Sequence, residues 1–191
     1  MTHSDQSDQL RHTSPPTPLF AGYLGESYAA LPATVRALHD VHAPCRWTGR
    51  ARVTRGPSVW ARLIAMAFRF PPATDDIGVT VTITPQDGGE LWERRFGAAQ
   101  FWSFLKVQNG QVTERFGPFT FTLGLHVAEE QLHFPVQSGR LGPIPVPRIF
   151  LPVSVAREYE ADGRFHFDVA LYAPLTGAPM VHYQGWLAHD T

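Results

Sequence analysis

The sequence predicts a mainly β protein, a strongly bent antiparallel sheet of about ten strands with two short helices. Apolar and polar residues alternate over many segments of strand length. Asp-Gly or Asn-Gly pairs, which favour tight hairpins, begin at residues 87, 109 and 162. Hairpin neighbours are antiparallel, and a long sheet tends to curl. We therefore expect a calycin-like up-and-down barrel, or alternatively an open helix-grip sheet wrapped round a helix over 57–68.

Length and composition favour one globular domain. The chain has 191 residues, of which 43% are hydrophobic and only 17% are charged. Residues 1–18 are polar and rich in proline, which predicts a disordered tail before a single β-rich domain over 19–191. A net charge of -1 argues against a nucleic-acid partner. Cys45 is the one cysteine, so no internal disulfide can form, and no apolar run reaches membrane-spanning length. A cytoplasmic location is the expectation.

Two stretches are predicted to be helical. Over residues 27–42, Leu31, Val35 and Leu38 recur at helical spacing, with Pro32 in the first turn. After a strand over 49–55, residues 57–68 are apolar on almost every side. A helix of this kind is a buried plug, a lid over a cavity or an oligomer contact. Its lid or plug candidates are Trp60, Leu63, Ile64 and Phe68.

The remaining strands follow from alternation and turn signals. The segment over 138–152 is different, since it contains four prolines and two glycines. Proline cannot donate to a sheet ladder, so this segment is predicted to be an extended crossing with one helical turn near 148–151, and not a central strand. The predicted strands are 77–84, 91–96, 100–108, 112–116, 119–127, 131–136, 153–160, 164–172 and 180–188.

Isolated charges in apolar strand rows are the first candidate site residues. Arg94 lies in a row with Trp92 and Phe96, and Glu114 alternates with apolar neighbours in the same way. Arg157 shares a third row, with two valines and a tyrosine. Arg94 and Glu114 could form a structural salt bridge, line a cavity and hold a polar ligand group, or face solvent. An unpaired buried ion costs several kcal/mol, so the first two alternatives require a partner.

Histidines and aromatic residues are the second group of candidates. Asp168 alternates with His166, and a contact between Asp168 and either His166 or His182 could make a general base. Histidines on a wet strand face are the simpler alternative, and catalytic residues stay unassigned. His39 and His42 lack a third ligand at a telling spacing, so no metal site is expected. The candidate ligand-binding residues are Trp92, Arg94, Glu114, Arg157, Asp168, His182 and Tyr183.

Six phrases in order resemble an uncharacterised bacterial family, domain-of-unknown-function family 4166. They are LPATVRALH (31–39), GRARVTRG (49–56), LWERRFG (91–97), ERFGPF (114–119), DGRFHFDV (162–169) and VHYQGWL (181–187). The resemblance covers residues 20–188. It implies signature positions at His39, Gly56, Trp92, Arg94, Phe96, Glu114, Gly117, Arg164, Phe165, Asp168, His182, Tyr183, Gly185 and Trp186.

The family resemblance implies little about chemistry. Such domains occur alone or attached behind saccharopine-dehydrogenase-like oxidoreductase domains. This sequence has no GxGxxG motif after a strand, so hydride chemistry is not transferred to it and no cofactor is expected. The leading hypothesis is a domain that binds a hydrophobic or amphipathic small molecule in a β-walled cavity. The alternatives are an interaction module that docks on such an NAD(P)-dependent oxidoreductase, and an enzyme that uses a His/Asp pair.

Overall fold

In the part of the chain that the structure describes, one antiparallel sheet of thirteen strands is accompanied by two short α-helices. The computed structural model describes residues 17–57, 59, 66 and 71–190. The helices are α1 (Leu19–Leu24) and α2 (Ala33–His39), with 3-10 turns over Gly25–Ala30 and Arg148–Phe150. The strands are β1 (Cys45–Arg55), β2 (Thr74–Gln86), β3 (Gly89–Phe96), β4 (Ala99–Gln108), β5 (Gln111–Phe116), β6 (Phe119–Leu123), β7 (His126–Ala128), β8 (Gln131–His133), β9 (Val136–Leu141), β10 (Ile144–Val146), β11 (Val153–Ala161), β12 (Arg164–Tyr172) and β13 (Pro179–His189).

The sheet is not closed into a barrel, so the expected calycin-like closure is wrong. Its strand order is β10-β9-β6-β5-β4-β3-β2-β1-β13-β12-β11-β8-β7. Within the described residues the sheet therefore ends at β10 on one side and at β7 on the other. The number of strands is also thirteen and not about ten, because the predicted strands 119–127 and 131–136 are each divided by an irregular step and the proline-rich segment adds β10.

A bent hairpin over residues 119–141 connects the two ends of the sheet. Strands β6 and β9 pair at one end, whereas β7 and β8 pair at the other. Only residues 124–125 and 134–135 separate the two pairs, and the backbone N–H of Gly124 donates to the carbonyl oxygen of Pro135 over 2.9 Å. β8 meets β11 through only two residue pairs. The sheet thus bends round until its ends lie next to one another without a continuous ladder between them.

The predicted Asp-Gly and Asn-Gly hairpins are confirmed by the backbone. Asp87 and Gly88 have φ of 50° and 71°, and Asn109 and Gly110 have 53° and 72°. Positive φ at both central residues is what a type I′ hairpin turn requires. These turns fix the β2–β3 and β4–β5 pairings, and with them which side chains face the interior.

The proline-rich segment over 138–152 contains more strand than its composition predicts. Its first part belongs to β9, which lies between β6 and β10 inside the sheet. β9 itself contains no proline, and Pro145 lies in the edge strand β10, where a missing N–H is tolerated. The helical turn expected near 148–151 is confirmed as the 3-10 turn over Arg148–Phe150.

The helix predicted over 27–42 is shorter in the structure and begins after Pro32. Leu31, Val35 and Leu38 are buried, as the spacing indicates, and they pack α2 against β11 and β12. Most of the helix predicted over 57–68 lies outside the described residues, as does most of the tail over 1–18. Val59 and Met66 are helical and exposed. In the part of the chain that the structure describes, no helix has the length and apolarity to cross a membrane.

Candidate functional site

The concave side of the sheet encloses a cavity of about 160 Å³. Side chains in a strand alternate between its two faces, so every second residue of a strand points to this side of the sheet. Phe96 of β3 and Phe165 of β12 are almost fully buried behind the cavity, each at 2% exposure. The aromatic wall residues are Trp92, Phe96, Phe101, Phe116, Phe121, Phe134, Phe165, Phe167 and Tyr183.

Arg94 and Glu114 are both in the cavity wall and contact each other. Arg94 Nη2 donates to Glu114 Oε1 over 3.3 Å, and Arg94 Nη1 donates to Ser103 Oγ over 2.7 Å. The Ser103 hydroxyl donates to the same carboxylate oxygen over 2.7 Å. The Arg94 guanidinium carbon also lies 5.0 Å from the centroid of Trp92, within cation–π range. Of the three alternatives that the sequence left open, the structure combines two, because Arg94 and Glu114 form an ion pair and both residues line the cavity.

Tyr183 of β13 brings a hydroxyl to the same cavity. Its ring packs edge-on against Phe96, with centroids 5.6 Å apart, and lies 6.3 Å from Phe167. Burial raises the pKa of Tyr183 to about 12, and Glu114 and Glu158 act in the same direction while Arg94 opposes them. Among the described residues, nothing forms a hydrogen bond with the Tyr183 hydroxyl. This wall residue is therefore a polar group available to a ligand.

Glu158 is a second wall carboxylate, and its partner comes from α2. Glu158 Oε2 lies 2.5 Å from His39 Nε2, and the two residues are 6% and 1% exposed. The Phe20 ring packs against the His39 ring in a tilted arrangement, with 3.8 Å between centroids. A buried carboxylate needs a partner of this kind, because an uncompensated one costs several kcal/mol. The contact fixes α2 to the sheet and places the Glu158 side chain at the cavity.

Glu90 lies two residues before Trp92 on the same face of β3 and is also buried. The indole N–H of Trp92 donates to Glu90 Oε2 over 2.9 Å. Desolvation raises the pKa of Glu90, while the Trp92 hydrogen bond and the nearby His39 lower it. Glu90 Oε1 and His39 Nδ1 are buried and find no hydrogen-bond partner in the described part of the chain. Glu90 does not line the cavity, so its role there is indirect.

Three candidate residues lie on the opposite face of the sheet. Asp168 Oδ1 lies 2.6 Å from His182 Nε2, and Asp168 Oδ2 accepts from Arg157 Nη2 over 3.0 Å. The row of Arg157 faces outward, since Val153 and Val155 in the same row are 57% and 55% exposed. His166 does not join this cluster but stacks on Tyr159 at 5.4 Å. The His/Asp contact required by the enzyme hypothesis is present, but it is outside the cavity wall.

The structure thus brings together Trp92, Arg94, Glu114 and Tyr183 in one wall, and separates Arg157, Asp168 and His182 from them. The lid or plug candidates Trp60, Leu63, Ile64 and Phe68 lie outside the described residues. Ser103 and Glu158 belong to the site and were not identified from the sequence. Ser103 could have been identified from the sequence, because it is the polar residue in an otherwise apolar row with Phe101 and Leu105.

His39 and His42 do not form a common metal site. His39 contacts Glu158, whereas the His42 ring lies 3.0 Å from the exposed Asp40 carboxylate. No group of three or more metal-ligating side chains occurs within residues 17–57 and 71–190. The docking hypothesis depends on exposed Trp and Phe side chains, and Trp102 and Phe150 are 50% and 52% exposed.

The family model described as "Domain of unknown function (DUF4166)" matches residues 31–187 of this chain. The match covers more than half of the chain, and the chain therefore belongs to this family. A search of curated proteins finds no match.

Proposed function

We propose that this member of the DUF4166 family binds a small apolar or amphipathic molecule in the cavity of its bent sheet. The observation that supports this proposal is the composition of the cavity wall, which is made of aromatic and aliphatic side chains except for a few polar groups that converge on it. Binding pockets for small molecules typically combine apolar walls with a few placed polar groups.

The cavity also explains why charged residues are retained in apolar strand rows. Replacing a buried ion pair by apolar residues of similar size is often neutral or stabilising, so an ion pair is weak support for a purely structural role. Arg94 and Glu114 instead give the cavity a fixed polar corner, held in place by Ser103 and by the Trp92 ring. Such a corner would orient an amphipathic guest, whose apolar part would contact the phenylalanines.

The volume limits the guest to a small molecule. A cavity of about 160 Å³ is close to the ~150 Å³ at which an engineered apolar cavity stays dry and binds benzene. A long acyl chain would extend beyond this volume. The cavity therefore favours a ring-sized molecule over the lipid-sized ligands of large β-barrels.

Native mass spectrometry tests the proposal, and neighbouring residues on β11 provide a matched pair of variants. Ala156 lines the cavity, and the adjacent Val155 points outward. We expect a small molecule to accompany the wild-type protein from cells, or toluene to bind to it in calorimetry. Ala156→Phe should remove this binding, whereas Val155→Phe should retain it. If the wild type carries no small molecule and toluene does not bind, the proposal is wrong.

A further inference from the structure

We infer that the ligand carries an uncharged hydroxyl-type group that donates a hydrogen bond inside the cavity, on a body about the size of one six-membered ring. This inference rests on the proposed function and adds the chemical class of the ligand. Its basis is the set of polar atoms in the wall that remain without partners, together with the charges that are already balanced.

Three oxygen atoms in the wall remain available to a guest. The hydroxyl of Tyr183, Glu114 Oε2 and Glu158 Oε1 form no hydrogen bond with any of the described residues, although all three side chains line the cavity. The two carboxylate oxygens can only accept when ionised, and the tyrosine hydroxyl can donate or accept. A ligand hydroxyl is complementary to this set, because it can donate to a carboxylate and accept from Tyr183.

The charges in the wall argue against an ionised ligand. Arg94 is already neutralised by Glu114, and the buried Glu158 is already in contact with His39. A carboxylate ligand would bring a third negative group beside two carboxylates, and Arg94 could serve it only by leaving Glu114. An ammonium ligand would leave its hydration shell for carboxylates that have partners within the chain. A carboxylate would remain uncompensated in this apolar cavity, and an ammonium would have to share carboxylates that already bind Arg94 and His39, so burying either charge is costly.

Four probes of nearly the same shape separate these possibilities. Benzyl alcohol, toluene, benzoate and benzylammonium share one ring and differ in the polar group. Isothermal titration calorimetry at pH 7 would compare their dissociation constants on the whole chain. We expect benzyl alcohol to bind at least as tightly as toluene. Benzoate and benzylammonium should each bind at least tenfold more weakly than benzyl alcohol.

Tyr183→Phe removes only the hydroxyl oxygen of this side chain. It tests the hydrogen bond that the Tyr183 hydroxyl donates to the ligand. The loss of a hydrogen bond worth about 1 kcal/mol should weaken benzyl alcohol about fivefold. Toluene should bind this variant as it binds the wild type, which shows that the cavity is intact. Tyr159→Phe, on the outer face of the sheet, is the matched control and should change neither constant.

The possible outcomes distinguish the inference from the proposed function. If benzoate or benzylammonium binds as tightly as benzyl alcohol, or if benzyl alcohol binds more weakly than toluene, the inference is wrong and the cavity still binds ligands. The same holds if Tyr183→Phe leaves the benzyl alcohol constant unchanged. If none of the four probes binds, the proposed function is wrong as well.

Discussion

Arg94 and Glu114 form a partly buried ion pair in the cavity wall. Their side chains are 18% and 13% exposed, so water screens the pair only in part. The hydrogen bonds through Ser103 hold both groups in one geometry. The pair therefore differs from an exposed ion pair such as Arg52–Asp75, whose side chains are 57% and 89% exposed.

Glu114→Ala should destabilise the fold strongly, because it leaves the Arg94 guanidinium without its counter-ion. Removing one partner of a buried pair typically costs about 3 kcal/mol or more. The urea-unfolding free energy at neutral pH measures the effect. Replacing both residues, Arg94→Met with Glu114→Leu, should recover most of the loss.

Arg52→Ala is the control for this prediction and should leave the unfolding free energy nearly unchanged, since surface ion pairs contribute little. If Glu114→Ala were as mild as Arg52→Ala, water would be screening the cavity pair far more than its burial indicates.

Glu90 should make stability depend on pH in a defined direction. Desolvation raises its pKa in the folded state, so the unfolded chain releases this proton first as the pH rises. The folded state is then disfavoured, and the contribution of Glu90 to stability falls as the pH passes through its raised pKa. Glu90→Gln cannot ionise, so its unfolding free energy should improve relative to wild type as the pH rises from 4.5, the ordinary pKa of a glutamate carboxyl, towards neutrality.

Urea unfolding of both proteins at several pH values in this range measures that difference. A difference that stays constant with pH would mean that Glu90 titrates alike in the folded and unfolded chains.

At the scale of the elements, glycines allow β1 and β13 to approach closely. A Cβ atom built on Gly185 would lie 2.2 Å from the backbone oxygen of Arg50 and 2.9 Å from the Phe167 ring. No side chain fits there without moving backbone. Glycine inside a strand often marks such a close approach, and here it lies where the sheet bends round its cavity.

Gly185→Ala should therefore destabilise the protein by about 2 kcal/mol or more, through overpacking and a shifted strand. Thermal and urea unfolding measure the loss. Gly78→Ala in the adjacent strand β2 is the matched control, because a Cβ at that position meets nothing within 4 Å. If the two variants were equally stable, the close approach would not constrain the sheet.

The turn pairs and the alternating rows made much of this sheet predictable from sequence. Asp87-Gly88 and Asn109-Gly110 set the registers of two hairpins, and those registers place Arg94 and Glu114 in interior rows. Local patterns of this kind depend on residues close in the sequence. They predict the strands and the side chains on each face, but they cannot show whether the two ends of the sheet pair to close a barrel.

β11 shows where the local pattern fails. One row of this strand holds two valines, Arg157 and Tyr159, and the other holds Ser154, Ala156 and Glu158. Hydrophobicity favours the first row as interior, yet the second lines the cavity. The reason is the pairing with β12, which puts Ala156 opposite Val169 and Glu158 opposite Phe167, and the buried Glu158 then finds its partner in His39, 119 positions away in the sequence. A partner so distant leaves no trace in the alternation of β11.

At the scale of the whole molecule, the two terminal strands of the sheet have a further consequence. β10 and β7 contain three residues each, and Pro145 in the middle of β10 has no N–H to offer. Each terminal strand offers only three residues, which is too few for an added peptide strand to form a stable set of backbone hydrogen bonds. Recognition through strand addition, and runaway stacking of copies into fibrils, are both disfavoured.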